Sequence, residues 1–315
     1  MNNKSSQGGL ISVVIPVYNS EEILLTLCHR LVQIFNNMGK DYEIIFVNDC
    51  SNDRSWFKLE KLAKNYSRVK PILLRKNVGY DSAIMAGLNY VNGELVVIMD
   101  DDLQHAPEDI PKLISGLTNS NDVIYANFIK KRQSMFKNIG SWFNGKAAEI
   151  IIQKPKSIYL SPFKIVRKTV VDEIIKYTGP FPYIDGLIFK ITSAITQISV
   201  IHHKREIGKG NYNFIRSIKI WLNLITGFSI VPLRTVSYLG LIISLLSIIF
   251  GFYLILWKIL FGIATEGWAS IVFSILFIGG IQLLSLGLIG EYLGRAYLNI
   301  NNQPQFVIKD KINFK

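Results

Sequence analysis

The chain has few cysteines and lacks the glycine-rich loops of two large classes of nucleotide-binding protein. Cys28 and Cys50 are the only cysteines among 315 residues, and their spacing matches neither a zinc site nor a redox motif. No Gly-x-x-x-x-Gly-Lys-Ser/Thr segment is present, which counts against a P-loop ATPase. No Gly-x-Gly-x-x-Gly follows the first predicted strand, which counts against a dinucleotide-dependent enzyme. Nucleotide chemistry here would need another type of site.

The charge is strongly positive, yet the sequence has no nucleic-acid-binding signature. Lysine and arginine number 35 against 23 aspartates and glutamates, which gives a formal net charge of +12. We find no basic helix and no RNA-binding motif, so we predict no nucleic-acid partner. A protein surface held against anionic lipid explains the sign of the charge better.

Two long apolar runs without charge occur at residues 236–256 and 269–289. Each is long enough to cross a hydrocarbon core, which needs about 20 residues. Trp257 and Trp268 flank the connection between the runs, as residues of an interfacial aromatic belt would. These features predict two transmembrane helices rather than the buried hairpin of a soluble protein.

The cations around the two runs predict their orientation. Six lysines and arginines lie between residues 204 and 234, and four follow the second run, whereas the connection has only Lys258, opposed by Glu266. The positive-inside rule then places both termini in the cytoplasm. The first nine residues are polar and lack an apolar h-region, so we expect no signal peptide. We therefore predict a multi-pass protein of the cytoplasmic (inner) membrane.

Segments typical of strands and helices alternate over the first hundred residues. Strands are predicted at 11–16, 42–47, 69–74 and 95–99, and helices at 20–38, Ser55–Asn65 and 81–91. This alternation indicates an α/β fold with a doubly wound, mostly parallel sheet. Further along, the pattern predicts a strand at Val123–Phe128 and an amphipathic helix at 135–152.

These patterns divide the chain into five parts. We predict a cytoplasmic globular domain at 1–213 and an interfacial amphipathic segment at 214–234. Transmembrane helices follow at 235–258 and 268–291, and a cytoplasmic tail at 292–315.

Three adjacent acids, Asp100, Asp101 and Asp102, follow the fourth predicted strand. Neighbouring carboxylates repel one another, and a bound divalent cation such as Mg²⁺ removes that repulsion while also binding substrate phosphates. The polar segments 16–19, 48–49 and 77–81 also follow separate predicted strands, so a parallel sheet would gather all of them at one crevice. The simpler alternative for the acids is a solvated turn. Such a crevice would offer an aromatic face, acids that can hydrogen-bond a base or ribose, and a metal site for a diphosphate. Together these features suit the binding of a nucleoside-diphosphate sugar.

In this order, the motifs resemble those of the polyprenyl-phosphate glycosyltransferases of glycosyltransferase family 2, which have the GT-A fold. The matching segments are 14–19, 47–51, 75–79, 99–104, 107–108, 208–212, 232–234 and 290–295. They cover almost the whole chain. Each motif is weak alone, and the ordered set together with two predicted spans is specific.

The resemblance implies roles for individual residues. Asp100 and Asp102 match the Asp-x-Asp motif of the family, and together with Gln104 they would hold Mg²⁺ or Mn²⁺. Arg205 matches an arginine that contacts the diphosphate, so the implied catalytic residues are Asp100, Asp102 and Arg205. The implied contacts of the nucleotide-sugar are Pro16, Tyr18, Glu22, Asp49, Asp81, Asp100, Asp101 and Gln104.

A second group of residues would serve the acceptor. Lys204, Arg205 and Lys209 would bind its phosphate, and Asp185 would contact the sugar or shape the acceptor pocket. The chain also departs from the family pattern, because Cys50 replaces a usual glycine and Asp101 replaces a small residue. These departures affect the identity of the donor sugar more than the type of reaction.

The implied reaction transfers a sugar from a nucleoside-diphosphate sugar to a polyprenyl phosphate, undecaprenyl phosphate in a bacterium, with inversion at the anomeric carbon. A phosphate acceptor is already anionic near neutral pH, because the second pKa of a phosphate monoester is about 6, so no strong general base is required. The resemblance also suggests a homo-oligomer.

Three alternatives remain open at this stage. The first is an enzyme that extends a polysaccharide, although such enzymes carry a Gln-x-x-Arg-Trp motif and more spans than the two predicted here. The second is a catalytically inactive membrane scaffold with the same fold. The third is a nucleotidyltransferase, which would release pyrophosphate instead of a nucleoside diphosphate.

Overall fold

The structure is a computed structural model that describes residues 9–128, 155, 158–200, 231–261, 267–301 and 303–314. The chain divides into two compact units, one formed by residues 1–212 with 302–315 and the other by residues 213–301. The predicted helix at 135–152 and most of the predicted interfacial segment lie outside the described residues.

The elements of the described residues are numbered in chain order. The strands are β1 (Ile11–Val17), β2 (Tyr42–Asn48), β3 (Ile72–Leu74), β4 (Leu95–Ile98), β5 (Val123–Phe128), β6 (Lys164–Arg167), β7 (Ile195–Val200) and β8 (Ile308–Lys311). The helices are α1 (Leu24–Met38), α2 (Ser55–Asn65), α3 (Tyr80–Leu88), α4 (Ile110–Ser115), α5 (Lys168–Ile174), α6 (Ile184–Ile191), α7 (Val231–Phe261) and α8 (Trp268–Ile300). A 3₁₀ turn at Pro107–Asp109 precedes α4.

The eight described strands form one sheet in the order β7-β5-β6-β4-β1-β2-β3-β8. Strands β4, β1, β2 and β3 run parallel, as predicted. Strand β5 is also parallel to β7, so the departures from the prediction are β6, which is antiparallel to both β4 and β5, and β8, which is antiparallel to β3. The sheet is therefore mixed. Strand direction depends on the path of each connection, which an apolar pattern does not encode.

Close packing of α3 on the parallel strands brings its first turn to the carboxyl end of the sheet. Strands β1 and β2 are almost wholly buried, as their continuous apolar runs predict for strands covered on both faces. Gly87 of α3 lies directly on them, and a Cβ there would be 2.5 Å from Val14 Cγ1 and 3.0 Å from Val47 Cγ2. The lack of a side chain at Gly87 thus sets the distance between helix and sheet.

The predicted bounds of several elements agree closely with the structure. Ser55–Asn65 and Val123–Phe128 are found as predicted. Helix α1 begins at Leu24, four residues later than predicted, because polar side chains hold the preceding turn. The backbone N–H of Ser20 donates to Ser55 Oγ (3.0 Å), and the backbone N–H of Glu21 donates to Asp53 Oδ2 (3.0 Å). Gly39, which directly follows the predicted end of the helix at residue 38, closes α1 with a φ of 59°.

The segment predicted as a tail, residues 292–315, instead belongs to two elements. Helix α8 continues to Ile300, and Ile308–Lys311 joins the sheet as strand β8, where Asp310 pairs with Leu73 of β3. Three of the four residues of β8 are exposed and charged, so the segment lacks the alternation by which strands are recognised in a sequence.

The second unit contains α7 and α8, which contact each other. Within the described part of the chain, Phe277–Ile300 is long and apolar enough to cross a membrane, judged by length and composition, and Leu233–Ile243 is a shorter apolar segment. This criterion thus matches one of the two predicted membrane helices, and the other stays a prediction.

A buried carboxylate joins the strands at the end of the sheet opposite the predicted crevice. Glu43 is 2% exposed and accepts hydrogen bonds from Ser12 Oγ (2.5 Å), Lys70 Nζ (2.7 Å) and the backbone N–H of Asn92 (2.7 Å). Burial raises the pKa of Glu43, but these donors outweigh it and hold the pKa below its usual value. The ionised carboxylate therefore stabilises the fold.

We expect the Glu43→Gln variant to unfold about 4 to 8 °C below the wild type at pH 7, since the loss of a buried charged acceptor costs about 2 kcal/mol. A pKa lowered by folding gives a stabilisation that is present above the pKa of an unfolded glutamate, about 4.3, and is lost as the pH falls through the folded-state value. The difference in Tm should therefore shrink below about pH 4.

Differential scanning fluorimetry of the detergent-solubilised full chain measures both quantities. The control is Glu173→Gln, which changes an exposed glutamate paired with Lys176 and should leave Tm nearly unchanged. Equal midpoints for the wild type and Glu43→Gln at pH 7 would show that the buried network does not stabilise the fold.

Candidate active site

Three loops at the carboxyl ends of parallel strands contain residues in the left-handed backbone region. Asn19 follows β1 (φ 55°), Cys50 follows β2 (φ 54°) and Leu103 lies in the loop after β4 (φ 57°). This conformation is costly for a residue with a Cβ, by about 1 kcal/mol or more, and such strain often marks a functional site. At Cys50 it also explains the glycine expected from the family pattern, because glycine adopts positive φ freely.

Asp49 holds the loop that leads into α3. Its two carboxylate oxygens accept the backbone N–H groups of Val78 (2.7 Å) and Gly79 (2.9 Å), and the Asn77 side chain donates to its backbone carbonyl (3.3 Å). Burial raises the pKa of Asp49, and the two N–H donors oppose that rise. The predicted contact of this residue with a base or ribose stays a prediction.

The loop held by Asp49 leads to Tyr80, which contacts Asp100 of the acidic motif Asp100–Asp102. Tyr80 begins α3, and its hydroxyl donates to Asp100 Oδ1 over 2.8 Å. Tyr80 is 41% exposed, so the contact lies at the accessible edge of the sheet. Asp49 and Asp100 are therefore connected through three consecutive residues, Val78 to Tyr80.

Asp100, Asp102 and His105 form a group that could hold a metal ion. One ligand atom from each lies within 4.8 Å of the others, and no other such group occurs in the part of the chain that the structure describes. His105 is buried and stacks on Phe163, with ring centroids 5.6 Å apart. Burial is the main cause that raises the pKa of Asp100, and Asp102 adds to it. Two carboxylates and an imidazole fit Mn²⁺ or Mg²⁺, which favour oxygen ligands and accept nitrogen to different degrees.

Gln104, the predicted third ligand, donates its backbone N–H to Asp102 Oδ1 over 3.1 Å, and the predicted contact of its side chain with a metal stays a prediction. His105 supplies a further candidate ligand atom beside the two acids. The loop turns sharply at Leu103, and the histidine two residues later joins the two acids. The sequence contained a signal for this, namely a histidine three residues after Asp102, but a buried histidine is also common in a core.

Asp101 lies beside the loop that follows β1. It is not part of the group formed by Asp100, Asp102 and His105, which we call the metal-type group. Its Oδ2 atom is buried and has no hydrogen-bond partner among the described residues. Burial and the charges of Asp100 and Asp102 raise the pKa of Asp101 to about 7, and the Ser20 hydroxyl opposes this rise. Its predicted contact with the nucleotide-sugar stays a prediction.

A buried lysine compensates a further pair of acids near Asp100. Lys164 of β6 is 2% exposed and forms an ion pair with Asp185 Oδ1, which also accepts the Tyr125 hydroxyl (2.8 Å). Asp81 accepts the backbone N–H of Ile184 (3.1 Å) at the start of α6. Burial and nearby Asp185 raise the pKa of Asp81 to about 7, and Lys164 opposes that rise. Lys164 was not predicted as a site residue, because no pattern in the sequence separates it from a surface lysine.

The remaining predicted residues are placed as follows. Pro16 lies within β1, Tyr18 follows that strand and is 48% exposed, and Glu22 is exposed in the turn before α1. Lys204, Arg205 and Lys209, predicted to bind the diphosphate or the acceptor phosphate, lie outside the described residues.

Comparisons with known proteins match this architecture. Residues 12–175 match the model of the family described as glycosyl transferase family 2. The undecaprenyl-phosphate 4-deoxy-4-formamido-L-arabinose transferase of Edwardsiella ictaluri is 35% identical over 313 residues, covering 96% of this chain and 94% of that protein. The protein of the same name from Klebsiella pneumoniae is 33% identical, covering 95% of this chain and 92% of that protein.

Two solved structures have a similar fold. The glucosyl-3-phosphoglycerate synthase of Mycobacterium tuberculosis, in complex with Mn²⁺, uridine diphosphate and phosphoglyceric acid, has a TM-score of 0.53 at 16% identity, covering 70% of this chain and 77% of that one. The mannosyl-3-phosphoglycerate synthase of Rubrobacter xylanophilus has a TM-score of 0.52 at 11% identity, covering 72% and 74%. At these identities the likeness shows the fold alone, a mixed α/β sheet with GT-A-like neighbours.

We expect Tyr80→Phe to weaken Mn²⁺ binding by about 10-fold, because a residue that orients a metal ligand typically contributes 10- to 100-fold to affinity. Electron paramagnetic resonance of free Mn²⁺, measured during titration of the full chain without nucleotide, gives the dissociation constant. Tyr90→Phe is the matched control, since it removes the same hydroxyl from a tyrosine whose ring contacts Lys311. Unchanged Mn²⁺ affinity in Tyr80→Phe would contradict a role for this hydroxyl in orienting Asp100.

Proposed function

The chain belongs to glycosyl transferase family 2, and from this membership we propose that it transfers a sugar from a nucleoside-diphosphate sugar to a polyprenyl phosphate. The observation that carries the proposal is the grouping of Asp100, Asp102 and His105 at the carboxyl end of β4. Relatives named as undecaprenyl-phosphate sugar transferases align with 95% or more of this chain, which supports a lipid phosphate as acceptor.

Asp100, Asp102 and His105 would hold the divalent ion, Mg²⁺ or Mn²⁺, next to the donor diphosphate. When bound, this ion supplies Lewis-acid stabilisation of the charge that develops on the leaving nucleoside diphosphate. The exposed ring of Tyr18 and the loop at Asp49 border the same crevice and would contact the base and ribose. The Tyr80 hydroxyl keeps Asp100 oriented for its role.

The acceptor phosphate acts as the nucleophile in this proposal. One of its anionic oxygens forms the new bond to the anomeric carbon while the bond from that carbon to the donor diphosphate breaks. Attack from the face opposite the leaving group inverts the configuration. Lys204, Arg205 and Lys209 provide cations for the acceptor phosphate, and Asp185 lines the sugar or acceptor pocket.

The connectivity of the sheet supports a two-helix membrane hairpin. Strands β7 and β8 belong to one sheet, and the whole second unit lies between them in sequence. A chain that leaves one folded domain and returns to it crosses a membrane an even number of times. If Phe277–Ile300 crosses, then a second segment must cross too, and α7 is the long helix that precedes it.

We therefore propose α7 and α8 as the two spans, with the sheet domain and both termini in the cytoplasm. The charge distribution supports this orientation, because cations flank the pair on its sheet-domain side. A domain held at the cytoplasmic leaflet would meet a lipid phosphate at the headgroup level.

The proposed reaction predicts that labelled sugar enters the lipid fraction. Detergent-solubilised full chain would be mixed with undecaprenyl phosphate, Mn²⁺ or Mg²⁺ and a panel of labelled nucleotide-sugars. We expect metal-dependent labelling from one donor, and a loss of at least about 100-fold in Asp102→Asn, the scale found when a charge-stabilising group is removed. Asp172→Asn, which alters a half-exposed carboxylate paired with Lys168, should keep wild-type activity.

Other outcomes separate the alternatives. A donor that is consumed only when oligosaccharide acceptors are added would favour a polysaccharide-extending enzyme. Release of pyrophosphate would favour a nucleotidyltransferase. Failure of every donor to bind would contradict the proposed enzyme and favour an inactive scaffold.

The hairpin predicts opposite accessibility for the two ends of α8. In spheroplasts, a membrane-impermeant maleimide should label Gly267→Cys, which lies directly before α8, without lysis. Lys309→Cys in β8 should be labelled only after lysis, and the native Cys50 serves as an internal control for a cytoplasmic thiol. Labelling of Gly267→Cys only after lysis would contradict the hairpin.

A further inference from the structure

The segment that follows α8 crosses the sheet domain and contacts it at several places. We call residues 303–314 the strap. Besides strand β8, the strap contains Gln305, Val307 and Asn313, each of which takes part in hydrogen bonds to distant parts of the chain. All these contacts lie within the unit that contains the sheet.

Gln305 holds the loop between α5 and α6. Its side-chain Nε2 donates to the backbone carbonyls of Tyr177 (2.7 Å) and Gly179 (2.8 Å), so both amide hydrogens are used. We call residues 175–183 the proline loop. Pro180 and Pro182 have no N–H group, so this loop has few donors of its own, and the strap supplies two.

The proline loop leads directly into the residues near the metal-type group. Ile184 donates its backbone N–H to Asp81, and Asp185 pairs with the buried Lys164. Asp81 in turn follows Tyr80, whose hydroxyl donates to Asp100. The residue that follows the proline loop, Ile184, is thus held by Asp81, and Gln305 holds the loop itself at Tyr177 and Gly179.

The strap also holds the loop that precedes α3. The carbonyl of Val307 accepts the backbone N–H of Arg75 (2.8 Å), and Arg75 lies two residues before Asn77 in the loop that Asp49 binds. Gln305 and Val307 are only two residues apart. One short stretch of chain therefore contacts both loops that lead to Tyr80, Asp81 and Asp185.

Asn313 fastens the far end of the strap. Its Nδ2 donates to the carbonyls of Ala63 (2.8 Å) and Val69 (2.8 Å), and its backbone has a φ of 64°, a conformation that asparagine tolerates better than most residues. The strap is thus held at both ends and at β8 between them.

We propose that Gln305 is a positioning residue of the transfer reaction, which acts by holding the proline loop and, through it, the wall of the site that contains Asp185. The inference rests on the proposed function for its kinetic part only. Gln305 touches neither the metal-type group nor the loops after β1 and β2, so its loss should affect transfer to the acceptor more than binding of the nucleotide.

The test is Gln305→Glu in the full chain, because an ionised carboxylate of nearly the same shape would face two carbonyl oxygens. We expect hydrogen–deuterium exchange of the amides at 177–185 to become about 10-fold faster. We also expect kcat/KM for undecaprenyl phosphate to fall about 10-fold with donor affinity changed less than about twofold, since a small misplacement of a reacting group costs up to about 100-fold. Below about pH 5 the loss of activity should shrink, because a protonated carboxyl can again donate one hydrogen bond.

Gln303→Glu is the matched control, since it makes the same change in an exposed glutamine two residues earlier. It should match the wild type in exchange and in kinetics. Gln305→Met removes the donors without adding charge and should change both quantities in the same direction as Gln305→Glu, with less dependence on pH.

The outcomes are distinguishable. Unchanged exchange at 177–185 in Gln305→Glu would overturn the proposed hold on the loop. Faster exchange with unchanged transfer would overturn the positioning role. If the wild type transfers no sugar to the lipid, the proposed function fails, whereas the exchange comparison still decides whether the strap holds the loop.

Discussion

The crowding of carboxylates at one edge of the sheet is the constraint on which this architecture depends. Burial opposes the ionised state of these acids and neighbouring carboxylates add to that effect, and together they raise the pKa values of Asp81 and Asp101 to about 7. Three of these acids take a partner from another element: Tyr80 for Asp100, Ile184 for Asp81, and Lys164 for Asp185. The interactions that compensate the negative charge therefore also join the loops of the site to one another.

The mixed topology of the sheet has a direct consequence for that compensation. Strand β6 runs antiparallel beside β4, and this register pairs Lys164 with Ile98, two residues before Asp100. A lysine on a β6 that ran the other way would lie at a different level of the sheet. The antiparallel strand thus brings one buried cation near Asp81 and Asp100, where its charge opposes the rise of their pKa values that burial causes.

Local patterns in the sequence predicted the parallel strands β1 to β4 and the edge of the sheet at which the candidate site residues gather. Continuous apolar runs marked β1, β2 and β4, and the polar residues that follow them, such as Asp49 and Asp100, do meet at one edge. Local patterns did not predict the interactions whose two partners are far apart in the sequence. Lys164 is 64 residues from Asp100 and β8 is more than 230 residues from β3, so neither relation leaves a local periodicity. His105 was not predicted for a different reason, because a histidine near a strand end is as common in a core as in a metal site.

The return of the chain to the sheet as β8 links two properties that are otherwise separate. It gives the helical pair α7 and α8 two covalent attachments to one domain, at β7 and at β8. For a membrane-anchored transferase, a single attachment would leave the domain free to turn about it, and a second attachment removes part of that freedom before any substrate binds. An acceptor confined to the headgroup plane can then meet the crevice with less loss of rotational entropy. The strap that makes the second attachment is the same segment that holds the loops leading to Tyr80 and Asp185, so the proposed anchoring and the site geometry would depend on one stretch of about ten residues.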